Sequence, residues 1–218
     1  MPAASSILSG IGFAHFVQYN DKSLALRLAL RRNGDDMVSW FNVKKAAQVA
    51  AFFALKQGGQ IHVLKLTKLV YLSDRAFMER YDVPITGDKL VSMDHGPVNS
   101  VTYNYINGTA ESREWDAYMA DRAGHMVALP RDDLTEDDLD ELSDAEIRVL
   151  GEVWERFGHM DRFQIRDWTH RHSPEWDNPH GSSLPIKYSH VFKFLGKGNS
   201  EELEDRVFAE RRISTYFE

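Results

Sequence analysis

Two apolar stretches with helical spacing, joined by two consecutive glycines, place the strongest constraint on how this chain can fold. The first, VKKAAQVAAFFALKQ, follows Asn42, whose side chain can accept a backbone N–H hydrogen bond and so favours a helix start. Gly58 and Gly59 end it. The second, LKLTKLVYLSDRAFMERY, covers residues 64–81. Two helices joined by so short a turn are expected to pack as an antiparallel hairpin, which would form the core of the domain.

The second of these helices combines an apolar face with a basic edge. Its apolar face is formed by residues at helical spacing, namely Leu66, Leu69, Val70, Ala76, Phe77 and Tyr81. Lys65 and Lys68 lie on the opposite edge, so we expect them, with Tyr71 beside them, to form a polar lip that can reach a partner. The alternative is that the lysine stems pack along apolar surface and that Tyr71 is a core residue with a polar end.

The segment after this hairpin changes character at Pro84 and Gly87, which punctuate short extended pieces. One of these pieces is LVSM at positions 90–93. Pro97 is expected in the first turn of a following helix, where its missing N–H has no cost, and Asn107-Gly108 would end that helix.

Residues 112–130 are expected to form two short strands with Ala123-Gly124 at the turn. The next fourteen residues, RDDLTEDDLDELSD at 131–144, contain eight acidic side chains. Such a run is typical of a solvated linker or an exposed helix start, and less often of a cation or partner site. We therefore expect a connection here between two helical parts of the domain.

Two capping boxes predict the helices that follow. Ser143 to Glu146 and Asp161 to Gln164 each place an N-cap residue three positions before a side chain that can hydrogen-bond back to it. The segment with Pro174, Pro179 and Pro185 is expected to be a loop, and YSHVFKFLG and EELEDRVFAERRISTYF are expected to be closing helices.

The predicted fold is mainly α (α+β): a compact helical domain with a helical hairpin core and a small antiparallel β element. We divide the chain into residues 1–40, residues 41–195 as the main domain, and residues 196–218 as a C-terminal helix. Residues 1–36 can be an extension that the domain folds without, produced by a start upstream of Met37. They can equally be an ordinary N-terminal helix packed on the domain, because their periodicity is weak.

Composition excludes several classes of function. The net charge of −7 argues against binding nucleic acid through a broad basic surface, although a local basic patch remains compatible with it. No cysteine is present, so disulfides, thiol nucleophiles and cysteine-bound zinc are impossible. No apolar run approaches the roughly 20 residues that span a bilayer, and we interpret the protein as soluble and cytoplasmic, without a membrane partner.

The sequence also lacks the motifs of common active sites. His170 and His172 are two positions apart, which on a helix turns their side chains away from each other, so we predict no metal site. No Gly-x-Ser-x-Gly elbow and no phosphate-binding loop occurs. We therefore expect no enzyme activity and no cofactor.

Three segments resemble one known family. LKLTKLVYLSD resembles its central helix, HGPVNSVTY its Gly-Pro-Val motif, and TH followed by PEW its C-terminal Thr/Ser-His and Trp signature. Their order and approximate spacing agree over residues 41–195. The family is that of SocA-like antitoxins with a Panacea domain, formerly described as phage-associated proteins. One departure is His95, which stands before Gly96-Pro97 where the family usually has an aromatic residue such as Tyr.

The resemblance implies a bacterial antitoxin that binds a co-encoded toxin and neutralises it without enzyme activity. It also implies, for some members, that the bound toxin is presented to a protease. Motif residues distributed over a fold often converge on one site. We therefore predict a partner-binding site made of Lys65, Lys68, Tyr71, Gly96, Pro97, His170 and Trp176.

Two other classes of protein remain as alternatives. One is a hydrolase, with or without a metal, that uses the many His, Asp and Glu residues. The other is a transcriptional regulator. The missing motifs weigh against the hydrolase, and the acidic balance weighs against the DNA-binding regulator.

Overall fold

A computed structural model of the chain describes residues 41–214, with the side chains of residues 41–211. Over that range the chain forms eight α-helices and five short strands. The helices are α1 Val43–Lys56, α2 Val63–Tyr81, α3 Ser100–Ile106, α4 Arg113–Asp116, α5 Asp144–Phe157, α6 Arg162–His172, α7 Tyr188–Phe194 and α8 Ser200–Ser214. The strands are β1 Gln60–His62, β2 Leu90–Met93, β3 Gly96–Asn99, β4 Met126–Ala128 and β5 Leu184–Ile186. The predicted fold class, mainly helical with a small antiparallel β element, is confirmed.

Helices α1 and α2 form as their local sequence predicts. The Asn42 side chain caps α1 by accepting a hydrogen bond from the backbone N–H of Lys45 at 2.7 Å. Gly58 and Gly59 follow the helix with φ angles of 91° and 97°, which favour glycine. The connection is more than a turn, however, because strand β1 lies between the two helices and pairs with β4 in an antiparallel two-stranded sheet.

Pro97 lies in a strand, so the prediction that it opens a helix is wrong. It belongs to β3, which pairs with β2 and places Pro97 opposite Ser92. The sheet order is β3-β2-β5, which makes β3 an edge strand, and an edge position tolerates a residue that has no N–H to donate. Helix α3 begins three residues later, at Ser100, and ends before Asn107 as predicted. LVSM forms strand β2, also as predicted.

The expectation of two strands in residues 112–130 is half wrong. The first part forms the short helix α4, which Ser112 caps and which buries Trp115. The second part forms β4, and the predicted turn precedes it, with Ala123 and Met126 exchanging two backbone hydrogen bonds of 2.9 and 3.0 Å. The partner of β4 is β1, more than sixty positions earlier, and this pairing is invisible to local periodicity.

The proline-containing segment before α7 was predicted as a loop throughout, and this too needs correction. Its residues Leu184–Ile186 form β5, the third strand of the larger sheet. Pro185 lies opposite Val91 on this second edge strand. The pairing depends on β2, about ninety positions away in sequence, so the local proline signal could not reveal it.

Both capping boxes and both closing helices are confirmed. Glu146 Oε2 accepts a hydrogen bond from Ser143 N at 2.7 Å at the start of α5, and Gln164 Oε1 accepts one from Asp161 N at 2.9 Å at the start of α6. The closing helices are α7 and α8, and the last three residues of the second predicted helix, 215–217, lie outside the described residues. None of the helices in the part of the chain that the structure describes is long and apolar enough to cross a membrane.

Helix α2 is the centre of the described fold. It contacts α1, α5, α6 and β3, and every residue from Lys65 to Asp74 is buried. The acidic segment before α5 packs on the basic edge of α1, where Asp140 lies 2.8 Å and Glu141 lies 3.5 Å from the amino group of Lys44. Residues 1–40, which we predicted as an N-terminal extension, lie outside the described residues, and the domain boundaries stay a prediction.

Candidate functional site

Lys68 is buried in the middle of α2. Its side chain is 0% exposed, and its Nζ donates a hydrogen bond to the Pro97 carbonyl oxygen at 2.8 Å. Burial lowers the pKa of Lys68 to about 7, and the nearby positive charge of Arg166 acts in the same direction. The prediction of a lip that places this amino group at the surface is therefore wrong, because α6 and β3 cover that side of α2.

Gly96 brings the backbone of β3 up to Lys68. Its φ angle is +96°, a conformation that L side chains rarely adopt. A Cβ atom at this position would lie 3.0 Å from Cδ2 of His170 and 3.1 Å from Nζ of Lys68. Glycine is thus required by both the backbone conformation and the close approach of the two side chains.

His170 and Trp176 cover this contact from the other side. Their rings stack with centroids 4.3 Å apart and planes 6° from parallel. The indole Nε1–H of Trp176 donates to the carbonyl oxygen of Met93 at 2.9 Å, which ties the segment after α6 to β2. Both rings are half-buried, so each keeps part of its surface in solvent. The structure thus brings five predicted site residues into contact, here called the Lys68 cluster: Lys68, Gly96, Pro97, His170 and Trp176.

The electrostatics of His170 favour the neutral imidazole. Burial lowers its pKa, and the charges of Lys68 and Arg166 lower it further, while a hydrogen bond with the backbone of His95 acts in the opposite direction. Its Nε2 is buried and has no hydrogen-bond partner among the described residues. The neutral ring can therefore stack on Trp176 and lie against Lys68 without placing two positive charges together.

Tyr71 lies next to the cluster and connects to it through a residue that the sequence reasoning missed. The Tyr71 hydroxyl donates a hydrogen bond to the buried carboxylate of Glu175, and Nε of Arg75 donates to the same oxygen at 2.8 Å. Burial and the negative charge of Glu175 raise the pKa of Tyr71 well above its usual value, so the hydroxyl stays protonated. Glu175 stands directly before Trp176 in the PEW motif. Its place in that motif is the feature of the sequence that could have identified it as a site residue.

Lys65 lies apart from the cluster. Its Nζ donates to Oε1 of Gln57 at 2.6 Å and to the carbonyl oxygen of Gly158 at 2.7 Å. It also lies 5.0 Å from the ring centroid of Trp154. Lys65 therefore holds α2 to the C-terminal ends of α1 and α5, and the structure does not place it with the other predicted site residues.

Asp74 organises the loop before β2, and the sequence reasoning assigned it no role. Its buried carboxylate accepts hydrogen bonds from the backbone N–H groups of Ile85 and Thr86, both at 2.9 Å, and from the Asn99 side chain at 2.6 Å. Burial raises the pKa of Asp74, and these donors oppose the shift. Asp74 ends the YLSD motif, and Asn99 follows Gly-Pro-Val, so these motif residues hold the loop and β3 against α2.

Asp88 performs a similar task at the start of α3. Its carboxylate accepts hydrogen bonds from Val101 N at 2.9 Å and from Thr102 N at 2.7 Å. Burial raises the pKa of Asp88 to about 6 even though these donors favour the charged form. The buried carboxylates therefore serve the architecture around the cluster through hydrogen bonds to backbone.

A groove of about 390 Å³ lies between α2, α5 and α6 and is open to solvent. Charged side chains such as Arg75 and Glu152 and apolar ones such as Leu72 and Trp168 share its walls. Enzyme pockets usually enclose their ligand within mostly apolar walls. Within residues 41–211, no three His, Asp or Glu side chains lie close enough together to hold a metal ion.

The comparisons with known proteins give one match. The family model of the antitoxin SocA-like, Panacea domain matches residues 66–177, which is just over half of the chain. The chain matches no curated protein and no solved structure. The matched range contains every residue of the Lys68 cluster, together with Tyr71, Asp74 and Glu175. This chain therefore belongs to the family of SocA-like antitoxins with a Panacea domain.

Proposed function

We propose that this protein is an antitoxin that neutralises a co-encoded toxin by direct protein–protein binding in the bacterial cytoplasm. The observation that carries the proposal is the family match over residues 66–177, because that family is described as antitoxin and the range contains the Lys68 cluster. The toxin partner follows from the family description. Neutralisation by direct contact is our inference, supported by a half-buried aromatic pair at the surface of the matched domain.

We place the contact surface at the exposed side of the Lys68 cluster. His170 and Trp176 supply the accessible part, and the exposed His95 adjoins them through its backbone hydrogen bond to His170. Gly96 brings the β3 backbone against His170 and Lys68, and the Trp176 indole donates to Met93 O. Pro97 joins the site through Lys68, and Tyr71 through Glu175. Aromatic side chains held rigidly at a surface are typical of the residues that dominate binding energy at protein interfaces. Lys65 lies outside this contact surface and supports it indirectly, because its hydrogen bonds hold α2 to the ends of α1 and α5.

We also propose that the protein acts without catalysis. The open groove and the use of Asp74, Asp88 and Glu175 in structural hydrogen bonds support a binding role. No specific observation favours the hydrolase or the transcriptional regulator. Presentation of the toxin to a protease is a separate step. It is tested by stopping protein synthesis and following the amount of toxin over time. Faster loss of the toxin when the antitoxin is present supports delivery.

The test of the proposed function is rescue of growth. The small reading frame adjacent to the gene is expressed alone and then with this protein, and the wild-type chain is expected to restore growth. His170→Ala should reduce rescue while the protein remains folded, because the ring that stacks on Trp176 is lost. His190→Ala, an exposed histidine on α7, is the matched control and should rescue fully. Failure of the wild-type chain to rescue would refute the function, and full rescue by His170→Ala would refute only the site.

A further inference from the structure

Two tryptophan–histidine stacks involve α6, and they differ in their cationic neighbours. Trp168 stacks on His172 with ring centroids 4.3 Å apart, and the guanidinium carbon of Arg156 lies 5.3 Å from the Trp168 centroid. Trp176 stacks on His170 at the same centroid distance of 4.3 Å. Among the side chains that the structure describes, no arginine or lysine lies over the Trp176 ring. That ring is half-buried, so part of it stays accessible to a partner.

Two exposed carboxylates lie beside the Trp176 ring. The indole donates to the carbonyl oxygen of Met93, and Asp94 follows directly on the turn between β2 and β3. Asp177 follows Trp176, and its backbone N–H donates to Oγ of Ser92 at 3.2 Å. These hydrogen bonds hold both acidic residues at the same end of β2 as the indole. Neither carboxylate takes part in an ion pair with another described residue.

The basic side chains in this part of the fold are engaged within the protein. Arg166 forms an ion pair with Asp167 at 2.6 Å, and Nε of Arg171 donates to the Asp167 carbonyl oxygen at 3.2 Å. Lys68 is buried, and its amino group is hydrogen-bonded to a backbone carbonyl oxygen. The two arginines are thus held around Asp167 on α6, whereas the charges next to the indole are those of the two carboxylates.

The hydrogen-bonding groups around the indole are mainly acceptors. The single N–H of the Trp176 ring is already used by Met93, and an ionised carboxylate can only accept. His95, exposed on the same turn, adds one ring N–H. An acidic partner side chain would meet two like charges here, whereas a guanidinium would meet two acceptors and the face of the aromatic ring type that binds cations best. The combination therefore selects a cationic donor.

We propose that this surface, here called the Trp176 surface, binds a basic surface of the partner toxin, with one arginine side chain stacked on the indole and hydrogen-bonded to the neighbouring carboxylates. The Trp176 surface consists of Asp94, His95, Trp176 and Asp177. His170 occupies one face of the indole, so the arginine stacks on the other. Arginine fits better than lysine, because a planar guanidinium can stack on an aromatic ring and also form paired hydrogen bonds with a carboxylate.

The proposal rests on the proposed function, since it names the chemistry of the partner that the antitoxin neutralises. Trp168 shows the same kind of contact within the chain, because it carries both a stacked histidine and an arginine. The net charge of −7 favours a basic partner as well, since opposite charge on two proteins speeds their association.

The experiment measures the Kd of the full-length protein for the purified product of the adjacent reading frame, by calorimetry at two salt concentrations. The double variant Asp94→Asn/Asp177→Asn removes both charges and keeps the side-chain shape, and the new amide oxygen at position 94 can still accept the N–H of Gly181. Its melting temperature should stay nearly unchanged, and its binding should weaken by about tenfold or more. Higher salt should weaken binding of the wild type, with a smaller effect on the double variant, which has lost the attractive charges.

A second variant tests the ring. Trp176→Phe keeps an aromatic side chain beside His170 but replaces the indole with a weaker cation-binding face, so it should also weaken binding. Its melting temperature is measured in parallel, because the hydrogen bond to Met93 is lost as well.

Two matched controls change the same residue types elsewhere. Asp132→Asn/Asp205→Asn removes two other exposed carboxylates and so changes the net charge by the same amount. Trp168→Phe makes the same ring change in the other histidine stack. Both controls should bind like the wild type.

Each result decides between the proposals. Wild-type binding that Asp94→Asn/Asp177→Asn leaves unchanged overturns this proposal alone. Tighter binding of that variant does the same and indicates an acidic partner. An equal loss of affinity in Asp132→Asn/Asp205→Asn also overturns it, because the effect would then come from overall charge. Absence of any wild-type binding overturns the proposed function and this proposal together.

Discussion

Lys68 shows how one residue can be recognised from sequence and still be placed in the wrong environment. Its position between apolar residues on α2 suggested an amino group that reaches solvent. In the structure the amino group is buried against the Pro97 carbonyl oxygen. Burial takes the ammonium out of water, and this lowers the pKa to about 7. The neutral carbonyl offsets the loss of hydration less than a carboxylate would.

The first prediction follows from that pKa. In the unfolded chain Lys68 keeps its usual pKa of 10.5, so between pH 7 and 10.5 the unfolded state binds the extra proton. The free energy of unfolding contributed by Lys68 should therefore increase with pH across this window, by up to about 1.4 kcal/mol per pH unit. Lys68→Met should lack this increase, whereas Lys193→Met, at an exposed lysine of α7, should retain it. Chemical unfolding from pH 7 to 10 measures both, and equal slopes for Lys68→Met and the wild type would contradict the assignment.

A second prediction concerns Gly96. An alanine there combines an unfavourable φ angle with a Cβ 3.0 Å from His170 and 3.1 Å from Lys68. Gly58 has a similar φ of +91°, yet nothing lies within 4 Å of its Cβ position. Gly58→Ala should lower the free energy of unfolding by about 1 kcal/mol, and Gly96→Ala by about 2–3 kcal/mol. Thermal unfolding of both variants separates backbone strain from crowding. Equal losses of unfolding free energy in Gly58→Ala and Gly96→Ala would show that crowding against His170 and Lys68 adds nothing to the effect of backbone strain.

At the scale of elements, helix ends were predictable and strand partners were not. Asn42, Ser143 and Asp161 each cap the helix that the sequence predicts, because a cap needs only groups within three residues of it. Strands β1 and β5 needed partners far along the chain, and neither was predicted. The acidic segment illustrates the same limit, since its ion pairs with Lys44 of α1 bring together residues about a hundred positions apart.

The third prediction tests a cap. Ser143→Ala removes the hydroxyl that accepts a hydrogen bond from Glu146 N and donates one to Glu146 Oε2 at 2.9 Å. We expect a loss of about 1 kcal/mol in the free energy of unfolding, the usual effect of removing a helix cap. Ser183→Ala, at an exposed loop position, is the control and should change stability by less than about 0.5 kcal/mol. Urea unfolding measures both, and indistinguishable midpoints would show that the cap adds nothing to α5.

At the scale of the whole molecule, the C-terminal helix is part of the described fold. Helix α8 packs on α7 and buries Leu203 and Val207. Near its end, Arg211 donates hydrogen bonds to the carbonyl oxygen of Asp88 and to the hydroxyl of Tyr188, each at 3.0 Å. These contacts connect the last helix to the loop before β2, and that loop is held against α2 by Asp74.

The fourth prediction compares the two ends of the chain. A variant that begins at Met37 should keep its melting temperature nearly unchanged, because α1 starts later and has its own cap at Asn42. A variant that ends at Leu195 lacks Leu203 and Val207, whose burial stabilises the fold by roughly 1.5–3 kcal/mol each, and should unfold at a clearly lower temperature. Calorimetry compares them. A loss of more than about 2 kcal/mol from the Met37 start would show that residues 1–36 pack on the domain.

The amino-acid sequence by itself determined the mainly helical class, the capped helices and the family, through the residues of the Gly-Pro-Val and PEW motifs. These features depend on side chains close together in sequence, or on motif residues in a recognisable order. Only the tertiary structure decided that Lys68 is buried while Lys65 lies apart, that Pro97 belongs to a strand, and that Glu175 binds Tyr71. Each of these outcomes depends on an element that covers the residue from elsewhere in the chain, and burial in turn sets hydrogen-bond partners and pKa values. Helical periodicity records which face of α2 is apolar, but it cannot record that α6 and β3 pack over the opposite face.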